Sequence, residues 1–414
     1  MKRVAIIAAA LAAAGLTDAG GAPARAQGAA AAKEVTVALI APLSGPWARE
    51  GQLMQMGADM AIDEINDKGG IAALGGAKMK LVVADAGDTT EKAKNAAQRL
   101  LAQEPDLVGG AGAWLSSFTL AVTEVTERAQ IPWLTLSYSD AITGRGYKYV
   151  FQTSPTANRM AEEMIPTVLK LADSAGAKKL QNVGIIMDNT ASNVSFVKPL
   201  HEGALDPYGL KLTVDQVFTP PLSDATPLVQ KLRSNRPDML LMLSSNVPDD
   251  SMLLQKLAEF GMPVGKLPTI GAGAHLGVPE LRKVTDAELL EGLLFTTGNW
   301  SLNHEDELIA RFKKRTGEPW LTQDSICAYG DMWIFKAALE KVGAADHIKV
   351  AEALHTMEIT DGPAAEAFPG PVKFDANGRR SGAPVVIAQW QKGEAVSVYP
   401  TDRALAKAVW PTGN

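Results

Sequence analysis

Two adjacent serines, Ser116 and Ser117, follow the stretch Leu107-Val108-Gly109-Gly110-Ala111-Gly112-Ala113-Trp114-Leu115 and stand where an apolar helical pattern begins. The chemistry open to them is anion binding. The first amides of a helix have no intrahelical acceptor and point outward at the positive end of its dipole. A carboxylate can therefore dock on the serine hydroxyls and those amides without a lysine. The same serines also read as helix caps, with no ligand involved. A second polar run, Ser137-Tyr138-Ser139-Asp140, ends the apolar stretch Ile131 to Leu136. If both runs follow neighbouring parallel strands, they line one crevice.

That placement needs a sheet, and the chain supplies the pattern for one. Val35 to Ile40, Leu81 to Ala84, Leu107-Val108 and Ile131 to Leu136 read as strands. Helices Gln52 to Asn66, Glu91 to Gln103 and Phe118 to Ala129 alternate with them, the first with Met56, Met60, Ile62 and Ile65 inward and the last with Leu120, Val122 and Val125 inward. The pattern restarts with strands Val183 to Met187, Met239 to Leu243 and Thr269-Ile270, and with helices Ser195 to Leu205, Ala225 to Ser234 and Asp250 to Phe260. Since single cores stop growing at about 250–300 residues, a chain of 414 residues reads as two domains.

A net charge of −6 and the lack of a basic run argue against a nucleic-acid partner. Residues 1–26 carry Lys2-Arg3, the apolar run Val4 to Leu16 and Ala24-Arg25-Ala26, the layout of an export signal. Residues 27–33 follow as a tether. No later stretch reaches the roughly 18 uncharged apolar residues of a membrane span, so a soluble product without direct membrane insertion is expected. The single cysteine, Cys327, reads as a buried apolar residue in a helix.

No nucleophile elbow, zinc-binding helix, P-loop or clustered Cys/His site occurs, and the five histidines are scattered. Neither enzyme, metal nor cofactor is expected. Asp249-Asp250 and Glu305-Asp306-Glu307 read as solvated charges at helix starts.

The ordered segments VALIAPLSGPWAREGQLMQMGADMAIDEINDKGGI, the Ser-Ser loop, IPWLTLSYSD, GYKYVFQTSP, YGDMWIFKAALEKVG and GPVKFDANG resemble the branched-chain amino-acid type of periplasmic binding protein over almost the whole mature chain. The resemblance implies a type I fold, in which two doubly wound, Rossmann-like α/β lobes are joined by three crossovers. These fall near Phe151–Thr153, Phe295–Thr297 and Val372–Phe374. Lobe 1 is then 34–152 with 297–372, and lobe 2 is 153–296 with 373–414. It also implies a monomeric periplasmic receptor that closes by a hinge on a small solute (an amino acid, an amide or an aromatic or carboxylic acid) and docks on the membrane permease of an ABC importer. The alternative is a sensor that docks on a signalling receptor.

Carried over by position, the resemblance places a ligand carboxylate on Ser116-Ser117 and on the loop Ser137 to Ala141. Two departures matter. Ser137-Tyr138-Ser139-Asp140-Ala141 brings a phenol and a carboxylate where amino-acid binders commonly have Ser-Pro-Gly-Ala. The turn Ile270-Gly271-Ala272-Gly273-Ala274-His275 lacks the acid that would pair with an ammonium. An unpaired ammonium in a closed cleft is costly, so either Glu50, Asp140 or Asp188 replaces that acid or the solute has no ammonium. Trp47, Trp114, Tyr138 and Trp300 are candidates for an aromatic wall, against a core role for Trp114 and Trp300. Gly273 and His275 complete the candidates, with a surface position as the other reading of His275.

Overall fold

The computed structural model describes residues 34–303 and 305–410, so the signal and tether expected over 1–33 lie outside the described residues. The first sheet holds β1 (Glu34–Ala41), β2 (Lys78–Asp85), β3 (Gly109–Gly112), β4 (Trp133–Thr135) and β5 (Val150–Gln152) in the order β2-β1-β3-β4-β5, all parallel. Helices α1 (Ala48–Asp67), α2 (Thr90–Gln103) and α3 (Ser116–Arg128) connect β1 to β4, as is usual for parallel pairing, while residues 136–149 lead from β4 to β5 without a helix.

After β5 the chain enters α4 (Ala157–Ser174) and builds a second sheet from β6 (Asn182–Asp188), β7 (Lys211–Phe218), β8 (Met239–Leu243), β9 (Thr269–Ala272) and β10 (Leu294–Thr297). Its helices are α5 (Ala191–Pro199), α6 (Thr226–Ser234), α7 (Val247–Glu259), α8 (Pro279–Val284) and α9 (Ala287–Leu290). Beyond β10 the chain returns to the first sheet as α10 (Asp306–Thr316), α11 (Gln323–Val342), α12 (His347–Thr356), β11 (Glu358–Ile359), α13 (Gly362–Ala367) and β12 (Val372–Lys373). It then ends on the second sheet as β13 (Val386–Gln391) and β14 (Glu394–Tyr399), giving the order β14-β13-β10-β9-β8-β6-β7 with only β13 and β14 antiparallel to their neighbours. One apolar core joins β1–β5 with Leu308 to Phe374, and two others flank the second sheet. The architecture is thus the expected pair of doubly wound α/β units joined by three crossings.

Several expected elements move. The third strand is the glycine run itself, not Leu107-Val108. Glycine is a poor strand former, but here space decides. A Cβ on Gly109 would lie 2.3 Å from the Phe335 ring, one on Gly110 2.4 Å from the Trp133 ring, and one on Gly112 1.9 Å from the Ile40 carbonyl oxygen. α5 stops at Pro199, and a wide turn with Gly203 at φ 106° replaces the continuation expected to Leu205. Cys327 is buried inside α11. Asp249 and Asp250 are buried, not solvated: Asp249 accepts bonds from the Asn246 side chain and the Leu222 amide, and Asp250 from the Ser244 hydroxyl. Glu305 is buried as well, while Asp306 and Glu307 are exposed.

Gly112 tests the close approach directly, because its φ of 125° and its contact with β1 both exclude a side chain. Gly112→Ala should lose about 3 kcal/mol or more of stability. Gly69→Ala, at φ 101° with no atom within 4 Å of the added Cβ, should lose only about 1 kcal/mol. Equal melting of the two variants would contradict this packing.

Candidate functional site

The carboxyl ends of both sheets' parallel strands line one cavity of about 40 Å³, the usual place for a ligand in such folds. Trp114, Leu115 and Ser116 reach it after β3, and Leu136, Ser137 and Tyr138 after β4. The opposite wall comes from Ser192, Asn193 and Phe196 of α5, from Ser244 and Ser245 after β8, and from Ala272 to His275 after β9. Ala157 and Gln323, the first residues of α4 and α11, complete the lining. No Asp, Glu, Lys or Arg is among these lining residues.

The serine loop is built by an uncapped helix start. Leu115 is the residue before α3, with extended backbone and no side-chain cap, and Ser116 and Ser117 are the first two helical residues. Phe118 and Thr119 amides both reach the Leu115 carbonyl, so the Ser116 and Ser117 amides precede the intrahelical ladder. Neither serine caps α3. The Ser116 hydroxyl oxygen instead accepts the Ser139 amide at 3.1 Å, which ties the two polar runs together. Ser137 is spent internally: its hydroxyl donates to the Trp114 carbonyl at 2.5 Å and meets Thr119 Oγ1 at 2.7 Å. Trp114 sits at φ 69°, a left-handed conformation unusual for a bulky residue. Its indole Nε1 donates to Asp324 Oδ1 at 2.8 Å, which holds the ring against the cavity.

A polar hub lies beside this wall. Gln323 Oε1 accepts the Tyr138 hydroxyl at 2.7 Å, Thr297 Oγ1 at 2.6 Å, and the Gly298 and Asn299 amides at 2.8 and 3.0 Å. It therefore grips the segment by which the chain leaves β10. Burial pushes the Tyr138 phenol up, so it stays a neutral donor.

Carboxyls stand behind the walls, where burial disfavours their charged form. Glu50 is fully buried, and neither of its oxygens has a partner among the described residues. Burial, with the nearby Asp324 carboxyl, pushes it up to about 8. Burial likewise pushes Asp324 up to about 7, against the pull of the Trp114 hydrogen bond. His275 Nε2 lies 3.3 Å from Asp250 Oδ2, yet neither atom makes a hydrogen bond among the described residues. Burial lowers the imidazole to about 3 and raises Asp250, so it disfavours the charged form of both.

Of the residues expected at the site, Trp114, Ser116, Ser137, Tyr138, Gly273 and His275 meet at the cavity. His275 is only 3% exposed, not a surface residue. The other candidates do not line it. Trp300 is a core residue: it is fully buried against Phe295 and donates to the Ala395 carbonyl. Trp47 packs edge-on against Phe118 and its Nε1 donates across to the Ser245 carbonyl at 2.9 Å. Ser117 is half-buried outside the lining, and Ser139 Oγ meets Ser195 Oγ at 2.9 Å. The three proposed replacement acids are placed elsewhere as well. Glu50 is sealed behind the wall, Asp140 accepts the Asn158 amide near the start of α4, and Asp188 accepts bonds from Thr190 and Asn193. Phe196, Asn193, Ser244, Ser245 and Gln323 carried no signal in the sequence. Only a turn after each predicted strand of the second sheet could have pointed to Ser244-Ser245.

The model of the periplasmic binding protein family matches residues 34–395. Over 391 residues the chain is 29% identical to Leu/Ile/Val-binding protein homolog 8 of Brucella melitensis, covering 91% of this chain and 93% of that one. Its structure is similar to a leucine-binding protein LivK from Thermotoga maritima (TM-score 0.75, 20% identity, 88% and 97% of the two chains). It is also similar to a solute-binding protein from R. palustris in complex with benzoate (TM-score 0.74, 17% identity, 91% and 99%).

The sealed carboxyls give a pH dependence. Glu50 keeps its proton in the folded chain up to about 8, above the ordinary carboxyl value of 4.5. The folded state thus binds more protons than the unfolded one between these values, and stability falls as pH rises through that window. Glu50→Gln should remove part of this slope and raise stability at pH 8 by roughly 1–3 kcal/mol, with little change at pH 4. Melting curves at both pH values check it; a variant less stable than the parent at pH 8 contradicts it.

Proposed function

Because the chain belongs to the periplasmic binding protein family, we propose that it is the extracytoplasmic receptor of an ABC importer and that its solute is a small aromatic carboxylic acid without an ammonium group. The uncharged lining carries this reading. It offers an anion the Ser116 hydroxyl and the first amides of α3, and it offers an ammonium no carboxylate. Trp114, Tyr138 and Phe196 supply rings for a flat solute. The similar proteins bind leucine in one case and benzoate in another, so the fold leaves the choice to the site.

In this reading residues 34–152 with 297–372 form one lobe and 153–296 with 373–414 the other. The cavity has room for only about three waters at roughly 10–15 Å³ each, so a benzoate-sized solute enters and leaves by separation of the lobes. Contacts across the cleft hold the closed form: Trp47 to Ser245, Ser139 to Ser195, and Arg49 to Glu280 at 2.6 Å. A permease then reads the closed monomer. Residues 1–26 direct export to the periplasm. Catalysis has no support in the lining, where no hydrogen bond joins His275 to a serine hydroxyl among the described residues.

Calorimetry across benzoate, 4-hydroxybenzoate, leucine, isoleucine and valine tests the reading. An aromatic acid should bind at least about tenfold tighter than any of the three amino acids, and at 100 times its dissociation constant it should stabilise the fold by about 2.7 kcal/mol. Ser116→Ala should weaken that binding by about 1–2 kcal/mol. Micromolar leucine binding with no response to the aromatic acids would overturn it.

A further inference from the structure

We infer that Gln323 is a ligand-binding residue whose side-chain NH2 donates a hydrogen bond to the carboxylate of the solute, and that it joins this contact to the chain segment leaving β10. The orientation of its amide is fixed by its neighbours. Two backbone N–H groups, from Gly298 and Asn299, converge on one terminal atom at 2.8 and 3.0 Å. Only an oxygen can accept them, so that atom is Oε1 and the other is the NH2. The Tyr138 and Thr297 hydroxyls also meet Oε1, leaving it no room for a ligand.

The NH2 has no partner among the described residues, although Gln323 is 1% exposed and lines the cavity. A buried amide with its oxygen saturated and its donors unused needs an acceptor. The cavity that Gln323 lines with Ser116 and Tyr138 is open to a solute beside it. Gln323 is also the first residue of α11, so this donor stands with that helix's first amides beside the opening of α3. Donors from two helix starts suit a carboxylate.

The inference rests on the receptor reading above but not on the ring of the solute, since leucine also presents a carboxylate. Gln323→Glu keeps an oxygen for the Gly298 and Asn299 amides and replaces the donor by an acceptor. Calorimetry with benzoate, benzamide and leucine on parent and variant separates the possibilities. Benzoate, or leucine if it is the carboxylate that binds, should weaken by about 10–100-fold, as for a lost hydrogen bond to a charged group. Benzamide, which can donate its own NH2 to the new carboxyl, should weaken less or tighten. Equal losses for benzoate and benzamide would make Gln323 a purely structural residue and overturn the inference, as would no loss at all. Binding of leucine alone, with the loss in Gln323→Glu, would keep the inference and sink the aromatic-acid reading. Binding of neither carboxylate to the parent would overturn both.

If the variant does not fold, glutamine-labelled parent protein gives the answer. Gln323 is the only glutamine in the lining, so addition of benzoate or leucine should displace one side-chain NH2 resonance pair. An unmoved set of glutamine NH2 signals in the presence of a bound carboxylate overturns the inference.

Discussion

A charge carried into a closed cavity must be met by an opposite charge or by enough hydrogen bonds, and this cavity provides only the second. That constraint organises the site. Of the carboxyls near it, Glu50 and Asp324 are raised by burial, Asp140 accepts the Asn158 amide, and Asp188 accepts Thr190 and Asn193 on one oxygen. The donors at the cavity include the start of α3, the Ser116 hydroxyl and Gln323. Those donors suit an anion, and burial disfavours the charged form of the acids behind Trp114.

The site and the crossings between sheets are built from the same atoms. Gln323 Oε1 holds Thr297, Gly298 and Asn299 where the chain leaves β10. Arg380 donates to the Thr153 carbonyl at 2.7 Å and to the Pro369 carbonyl at 3.0 Å, which links the segment after β5 to the segment around β12. Contacts across the cleft differ in exposure. The Arg49–Glu280 pair, with side chains 18% and 26% exposed, contributes about 0–1 kcal/mol. The Trp47–Ser245 bond is the more buried of the two.

The strand and helix alternation of the first sheet was legible because each element has its own period and each connection is short. The pairing of the Ser-Ser loop with Ser137 to Asp140 was legible for the same reason: both follow adjacent strands, β3 and β4. What the sequence hid depends on distant partners. Trp300 looks like a cleft residue from its position after a crossing, but Phe295 and the Ala395 carbonyl claim it for the core. Gln323 looks like an ordinary helix residue until Tyr138, 185 positions away, is found on its oxygen. Asp249 and Asp250 read as surface charge because nothing local shows that α7 starts inside the fold. The glycines of β3 do not read as strand because their reason, the rings of Phe335 against Gly109 and Trp133 against Gly110, lies elsewhere in the chain.

Hinge closure on an aromatic acid is the central claim, and X-ray scattering of the mature protein in solution tests it most directly. Saturating benzoate should lower the radius of gyration relative to the unliganded protein, and Gln323→Glu at the same benzoate concentration should stay near the unliganded value. An unchanged radius with benzoate shown to be bound would contradict the account, since it would leave a solute held in this cleft without the two lobes closing on it.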